Sequence, residues 1–154
     1  MILNNYNDQV KHGYREIVRS YLKAVARQGD DREHCAQVMS KKLKEKALSD
    51  KTDITADFIR NRVHQPEKYK IAEWMAKAAY YCLLDIDEWT PDNNETWFTM
   101  IAIFVRENGG DLPSFEVLKT KLPHQLDGEL GFQCLRICVN NVVEIINQKK
   151  GANV

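Results

Sequence analysis

The sequence has no surplus of charge. Its 22 basic and 22 acidic residues cancel, which argues against a protein that coats nucleic acid by charge alone. It also has no long apolar run. The longest, Trp97 to Val105, is far shorter than the ~20 residues that span a bilayer, so no membrane partner is expected. Cysteine is sparse: Cys35, Cys82, Cys134 and Cys138 are scattered through the chain, whereas a secreted disulfide scaffold is shorter and denser in cysteine. The start, MILNNYNDQV, lacks the basic residues and apolar stretch of a secretory signal. These features predict half-buried, reduced thiols and a cytoplasmic protein. No glycine-rich phosphate loop, Ser/His/Asp set or paired-carboxylate motif occurs, so no enzyme is expected. Cys134 and Cys138 share a helix face, but no second pair or nearby histidine completes a zinc site; neither metal nor cofactor is expected.

What is present is helical periodicity. Val10, Tyr14, Ile17, Val18, Tyr21, Leu22 and Val25 recur at three- and four-residue steps, which predicts a helix over 8–28 that Gly29 ends. Asp30 with Glu33 has the form of a capping box for a second helix, with Cys35, Val38, Met39 and Leu43 as its apolar stripe. The lysine-rich stretch from Lys41 to Lys51 reads as a frayed end and loop. Thr55 is a good N-cap for a third helix, with Ile54 stapled onto Ile59. Phe58, Ile59 and Val63 face inward, and Pro66 closes the helix. A fourth helix runs from about Tyr69 to Leu84, with Ile71, Trp74, Met75, Ala78 and Cys82 inward.

The linker DIDEWTPDNNE places a boundary, giving domains 1–89 and 90–154. Beyond it come an apolar helix, Glu95 to Glu107, stopped by Gly109-Gly110, and a short helix after Ser114. A last helix, about Glu129 to Lys150, follows. Trp74 and Trp97 are expected in the core. No strand, internal repeat or low-complexity tract is visible, so the expected fold class is all-α.

Charge is unevenly spread. Between Ser40 and Lys77 there are 10 basic and 6 acidic residues. Within that stretch, TADFIRNRVHQ is a capped short helix whose Arg60, Asn61, Arg62 and His64 are expected mostly opposite the apolar side. Arginine grips guanine edges, asparagine grips adenine edges, and both bind phosphate. Lys68 and Lys70 follow nearby. Ala36, in REHCAQVM, supplies the small residue that two crossing helices need.

The order REHCAQVM, DITADFIRNRV, a proline-bearing link and IAEWMAKAAYYCLLDIDEW resembles the lambda-repressor-like helix-turn-helix core. FIRNRVHQPEKYKI, and more faintly EVLKTKLPH, are similar to phage CII-like regulatory proteins. The segment between Met39 and Ile54 is longer than a tight turn, and Ser40 stands where the usual glycine would be. The resemblance implies a DNA-binding helix-turn-helix-like domain over 1–89. It implies a transcriptional regulator that binds double-stranded DNA through Thr55, Arg60, Asn61, Arg62, His64, Lys68 and Lys70. It further implies a dimer or higher oligomer.

Two other resemblances point elsewhere. GYREIVRSYLKAVARQG and FVRENGGDLPSFEVL are similar to segments of the B-cell-lymphoma family of apoptosis regulators, although the family's Asn-Trp-Gly-Arg motif is missing. That likeness implies a virus-type inhibitor whose partner is an amphipathic helix of a pro-apoptotic protein, held in a groove. Arg60-Asn61 followed by His64 resembles the Arg…His signature of helical ribonucleases, at a spacing one residue shorter.

The second domain is expected to assemble the protein. Leu135, Ile137, Cys138, Val139, Val142, Ile145 and Ile146 are read as covering well over half of the last helix. One side then packs on the Trp97–Val105 helix and the other on a second subunit. The expected oligomer interface is Leu135, Cys138, Val142, Ile145 and Ile146, in a homodimer or tetramer.

Overall fold

The computed structural model describes residues 2–27 and 32–152. The stop at Gly29 and the Asp30 half of the expected capping box lie outside them. Among the described residues the chain is all-helical, with no strand. The elements are α1 (Ile2–Arg27), α2 (Arg32–Glu45), α3 (Ala56–His64), α4 (Glu73–Leu84), α5 (Asn94–Asn108), α6 (Phe115–Lys119) and α7 (Glu129–Ala152). A single 3-10 turn, His124–Leu126, precedes α7. No described helix is long and apolar enough to cross a membrane.

The chain divides into two compact units, Tyr14 to Trp89 and the residues up to Gly13 together with those from Thr90 onward. The first turns of α1, expected with the N-terminal domain, group with the second unit instead. α1 also starts six residues earlier than its apolar pattern suggests.

In the first unit α2 packs chiefly on α4 and then on α3. Ala36 on α2 and Ala76, Ala78 and Ala79 on α4 are all buried, and small side chains let helix axes approach closely. Met39, Leu43, Met75, Tyr80 and Leu83 fill the core; burying a side chain of this size contributes roughly 1.5–3 kcal/mol. The Tyr21 hydroxyl donates to the Cys35 carbonyl at 3.1 Å, which satisfies its polar end inside the core.

α2 ends in a Schellman motif. Leu48 N–H donates to the Leu43 carbonyl at 3.0 Å and Ala47 N–H to that of Lys44 at 3.3 Å. Ala47 takes the left-handed conformation, φ 51°, which this cap requires. Residues 46–55 then connect to α3, so the α2–α3 link is long, as the sequence suggests. Ser40 pins its far end. Its hydroxyl accepts from Ile54 N–H at 3.0 Å and donates to the Ile54 carbonyl at 3.3 Å.

α4 begins at Glu73 rather than near Tyr69, because Ala72 is still extended. Residues 66–68 form a turn in which Tyr69 N–H donates to the Gln65 carbonyl at 2.9 Å. Ile71 and Trp74 are therefore half-buried rather than core.

The second unit is built on α5 against α7, with α6 on α7. Asn93 caps α5 by accepting from Thr96 N–H at 2.8 Å. Met100 to Val105 are all buried, and Gly110 turns the chain with φ +63°. Trp97 is half-buried rather than enclosed. Gly13 of α1 meets α5 so closely that an added Cβ would lie 1.7 Å from the Thr99 hydroxyl. Tyr6 sets its ring edge-on to Phe98 at 5.9 Å.

Candidate nucleic-acid interface

α3 is short, and its capping fixes its first turn. The Thr55 hydroxyl accepts from Phe58 N–H at 3.1 Å. At the other end Gln65 leaves the helical conformation before Pro66, and its N–H returns to the Asn61 carbonyl. Ile59 and Val63 are buried and anchor the helix, with Ile54 buried beside its start. Thr55 is itself exposed, with its hydroxyl engaged as the cap.

With the inner side fixed, helical spacing assigns the rest. Asp57, Asn61 and His64 fall toward the outer side and Arg60 on the flank beside them; Asn61 is half-buried and the other three are exposed. Arg60 Nη2 lies 3.0 Å from Asp57 Oδ1 across one turn.

Arg62 is not on that outer side. It is half-buried on a flank, one turn after Phe58. Its guanidinium carbon lies 3.4 Å from the Phe58 ring centre and 4.9 Å from that of Tyr69. The expected solvent-facing Arg62 is thus corrected: it is held by two aromatic rings, a contact that favours arginine over lysine. Phe58 is half-buried rather than core, and its ring also meets Trp74 at 6.1 Å. The i,i+4 spacing of Phe58 and Arg62 carried this signal in the sequence.

Two lysines extend the cluster. Lys51 sits 5.6 Å from the Phe58 ring and Lys68 5.3 Å from that of Tyr69. Lys51 and Tyr69 were not anticipated as part of the site, because the residues between them and α3 are loop and carry no periodicity. Arg15 of α1 reaches the Tyr69 carbonyl at 3.5 Å, tying the link between α3 and α4 to the unit. Lys68 and Lys70 are exposed on that link. The site therefore offers an exposed row with Arg60 and His64, a basic link, and an arginine held against two rings between them.

A second charged contact organises the same unit away from α3. Lys42 Nζ lies 2.7 Å from Asp85 Oδ2, at the C-terminal cap of α4, where a cation complements the helix dipole. Burial by itself lowers the Lys42 pKa. The hydrogen bond and charge of Asp85, aided by Glu45, outweigh burial and raise it above the ordinary 10.5.

The residues expected at an oligomer interface separate on α7. Leu135 and Cys138 are wholly buried within their own unit and present no surface to a second subunit. Val142, Ile145 and Ile146 are half-buried. The buried positions cluster in one sector, and Ile137, half exposed, stands apart from it. α5 and α6 pack against α7, and Ile137 lies outside the buried sector, two turns after Leu130, which is also exposed.

All four cysteines are buried thiols outside any disulfide, rather than half-buried. Burial pushes the Cys82 and Cys138 thiols up to about 12, which makes them poor nucleophiles at neutral pH. Among the described residues no group of three or more His, Cys, Asp or Glu side chains gathers in a way that could hold a metal ion.

Comparison with protein-family models, with curated proteins and with solved structures finds no match.

Proposed function

We propose that this protein is a sequence-specific regulator of transcription that binds double-stranded DNA, of the kind found in temperate phages. The observation that carries the reading is the outer side of α3. A capped, core-anchored helix presents Arg60, Asn61 and His64 outward, and Lys68 and Lys70 follow on an exposed link. A helix of this width enters the major groove, where such side chains meet base edges, while lysines beside it meet phosphates. The Ala36 crossing of α2 supports a helix-turn-helix-like unit with an extended connection in place of a tight turn.

A neutral chain with a local basic patch binds DNA weakly as one copy, since affinity scales with the phosphates neutralised. Two copies double those contacts and read two half-sites. We assign the joining surface to the part of α7 that its own unit leaves partly uncovered, Val142, Ile145 and Ile146. Sedimentation at tens of micromolar is expected to give a dimer or tetramer, and Ile145→Glu a folded monomer with weaker DNA binding. A monomeric wild type refutes the assembly.

Fluorescence anisotropy with duplex DNA across a salt series tests the DNA reading. If about four phosphates are neutralised per subunit, log affinity falls against log salt with a slope near about −4 per subunit. Binding that ignores salt, or no binding to any duplex at low salt, refutes it.

A further inference from the structure

The two arginines of α3 have different surroundings, and the difference assigns them different work. Arg62 is enclosed: one ring lies 3.4 Å from its guanidinium carbon and a second 4.9 Å. Half-buried against these rings, it has little freedom to follow a base edge. Arg60 stands on the opposite flank, free of ring contacts of that kind, with nearly half of its side chain exposed. One of its terminal nitrogens is held at 3.0 Å by Asp57, itself mostly exposed. A guanidinium has five donors in a planar fork. Pairing one nitrogen with a carboxylate limits the rotation of the plane and leaves the other donors of the fork for a ligand.

The carboxylate has a second effect. Asp57 and Arg60 together carry no net charge, so the pair gains little from approaching a phosphate, and the carboxylate is repelled by one. A base edge carries no formal charge, so the penalty there is smaller. Guanine presents two acceptors, O6 and N7, at the spacing of an arginine fork.

Resting on the DNA-binding reading above, we infer that Arg60, steered by Asp57, is the base-reading residue of α3 and selects guanine, while Arg62 is a positioning residue that holds the basic link in place.

The test begins with selection by the full-length protein from a duplex library with a randomised central segment. Affinity is then measured for the enriched duplex and for versions in which each G·C pair is replaced by A·T. Wild type is expected to prefer one G·C pair by about tenfold or more, as a bidentate contact gives. Arg60→Ala should abolish that preference and leave the salt slope nearly unchanged, because its charge was already matched. Arg60→Lys should not restore the preference. Asp57→Asn should act in the opposite sense on affinity. The freed arginine turns to phosphate, so binding to unselected duplex strengthens, the salt slope steepens by about 0.9 and the guanine preference shrinks. Removing any carboxylate beside DNA raises affinity, so the shrinking guanine preference is the readout that separates steering from charge alone; an unchanged preference in Asp57→Asn overturns the steering role. Both residues are exposed, and unchanged circular dichroism confirms the fold of each variant.

Retention of the preference by Arg60→Ala, or enrichment without guanine at any fixed position, overturns the inference while leaving DNA binding intact. Failure of wild type to bind any duplex at low salt overturns both.

Discussion

Ala47 holds a φ of 51°, in a region where a Cβ crowds the following carbonyl and a non-glycine residue loses roughly 1–2 kcal/mol. The two hydrogen bonds of the Schellman cap hold it there. Ala47→Gly relieves the crowding but adds freedom to the unfolded chain. The net expectation is a gain of about 0.5 kcal/mol or slightly more, visible as a higher urea midpoint at unchanged slope. Ser40 works in the opposite direction. Its hydroxyl satisfies both backbone groups of Ile54, directly before the α3 cap. Ser40→Ala leaves a part-buried N–H and carbonyl unpaired and is expected to cost about 1–3 kcal/mol. Amide exchange at Ile54 should quicken in that variant; protection equal to wild type would count against this role. Neither device announces itself in the sequence. Alanine is an ordinary helix former, and a serine shows its hydrogen-bond partner only once residues 46–55 have looped back.

At the scale of elements, α1 and α5 meet through Gly13 and Thr99. A Cβ on residue 13 would fall 1.7 Å from Thr99 Oγ1 and 2.6 Å from its Cβ, too close for any rotamer to relieve. On helix propensity alone, Gly13→Ala should stabilise by up to about 1 kcal/mol. The structure predicts the reverse sign, a loss of about 1–3 kcal/mol from overpacking. Thermal melting decides between them, and Thr99→Ala in the same background should recover part of the loss. The lengths of the helices were legible to within a turn wherever caps are chemical: Thr55 and Pro66 around α3, and the Gly109-Gly110 stop of α5. They were misjudged where the boundary depends on backbone geometry, as at Ala72, which delays α4 beyond Tyr69. The side of α3 was legible in part. Ile59 and Val63 were placed inward by spacing, which sets Arg60 and Arg62 on opposite flanks; rings on one flank, one of them from the following link, cover Arg62 and leave Arg60 exposed.

For the molecule as a whole, buried thiols set an alkaline limit. Cys82 in the first unit and Cys138 in the second are raised from 9.0 to about 12 by burial. Between those values the unfolded chain has released protons that the folded chain still holds. Stability therefore falls as pH rises through that window, and is unaffected by these groups below about 9. Lys42, also raised above 10.5, adds to the fall in the same direction. Denaturant melts from pH 8 to 11 should show a steep decline. Cys82→Ala and Cys138→Ala should each flatten it, whatever their effect on stability at neutral pH. A slope identical to wild type in both variants would contradict the burial of these thiols. Because they sit in different units, the two variants also report whether the units lose stability together.

The sequence by itself determined the all-helical class and the approximate order of seven helices. It did so because three- and four-residue apolar spacing and chemical caps are local properties of the chain. It also determined two of the three expected anchors of α3, since Ile59 and Val63 must face a core for so short a helix to persist, whereas Phe58, expected with them, is half-buried. Only the tertiary structure decided that α1 is shared between two units. The same holds for the wholly internal places of Leu135 and Cys138, the capture of Arg62 by Phe58 and Tyr69, and the clasp of Ser40 on Ile54. Each of these depends on residues far apart in sequence, or on a loop's return path. Periodicity gives the phase of one helix, whereas the partner that fills that phase is fixed by packing.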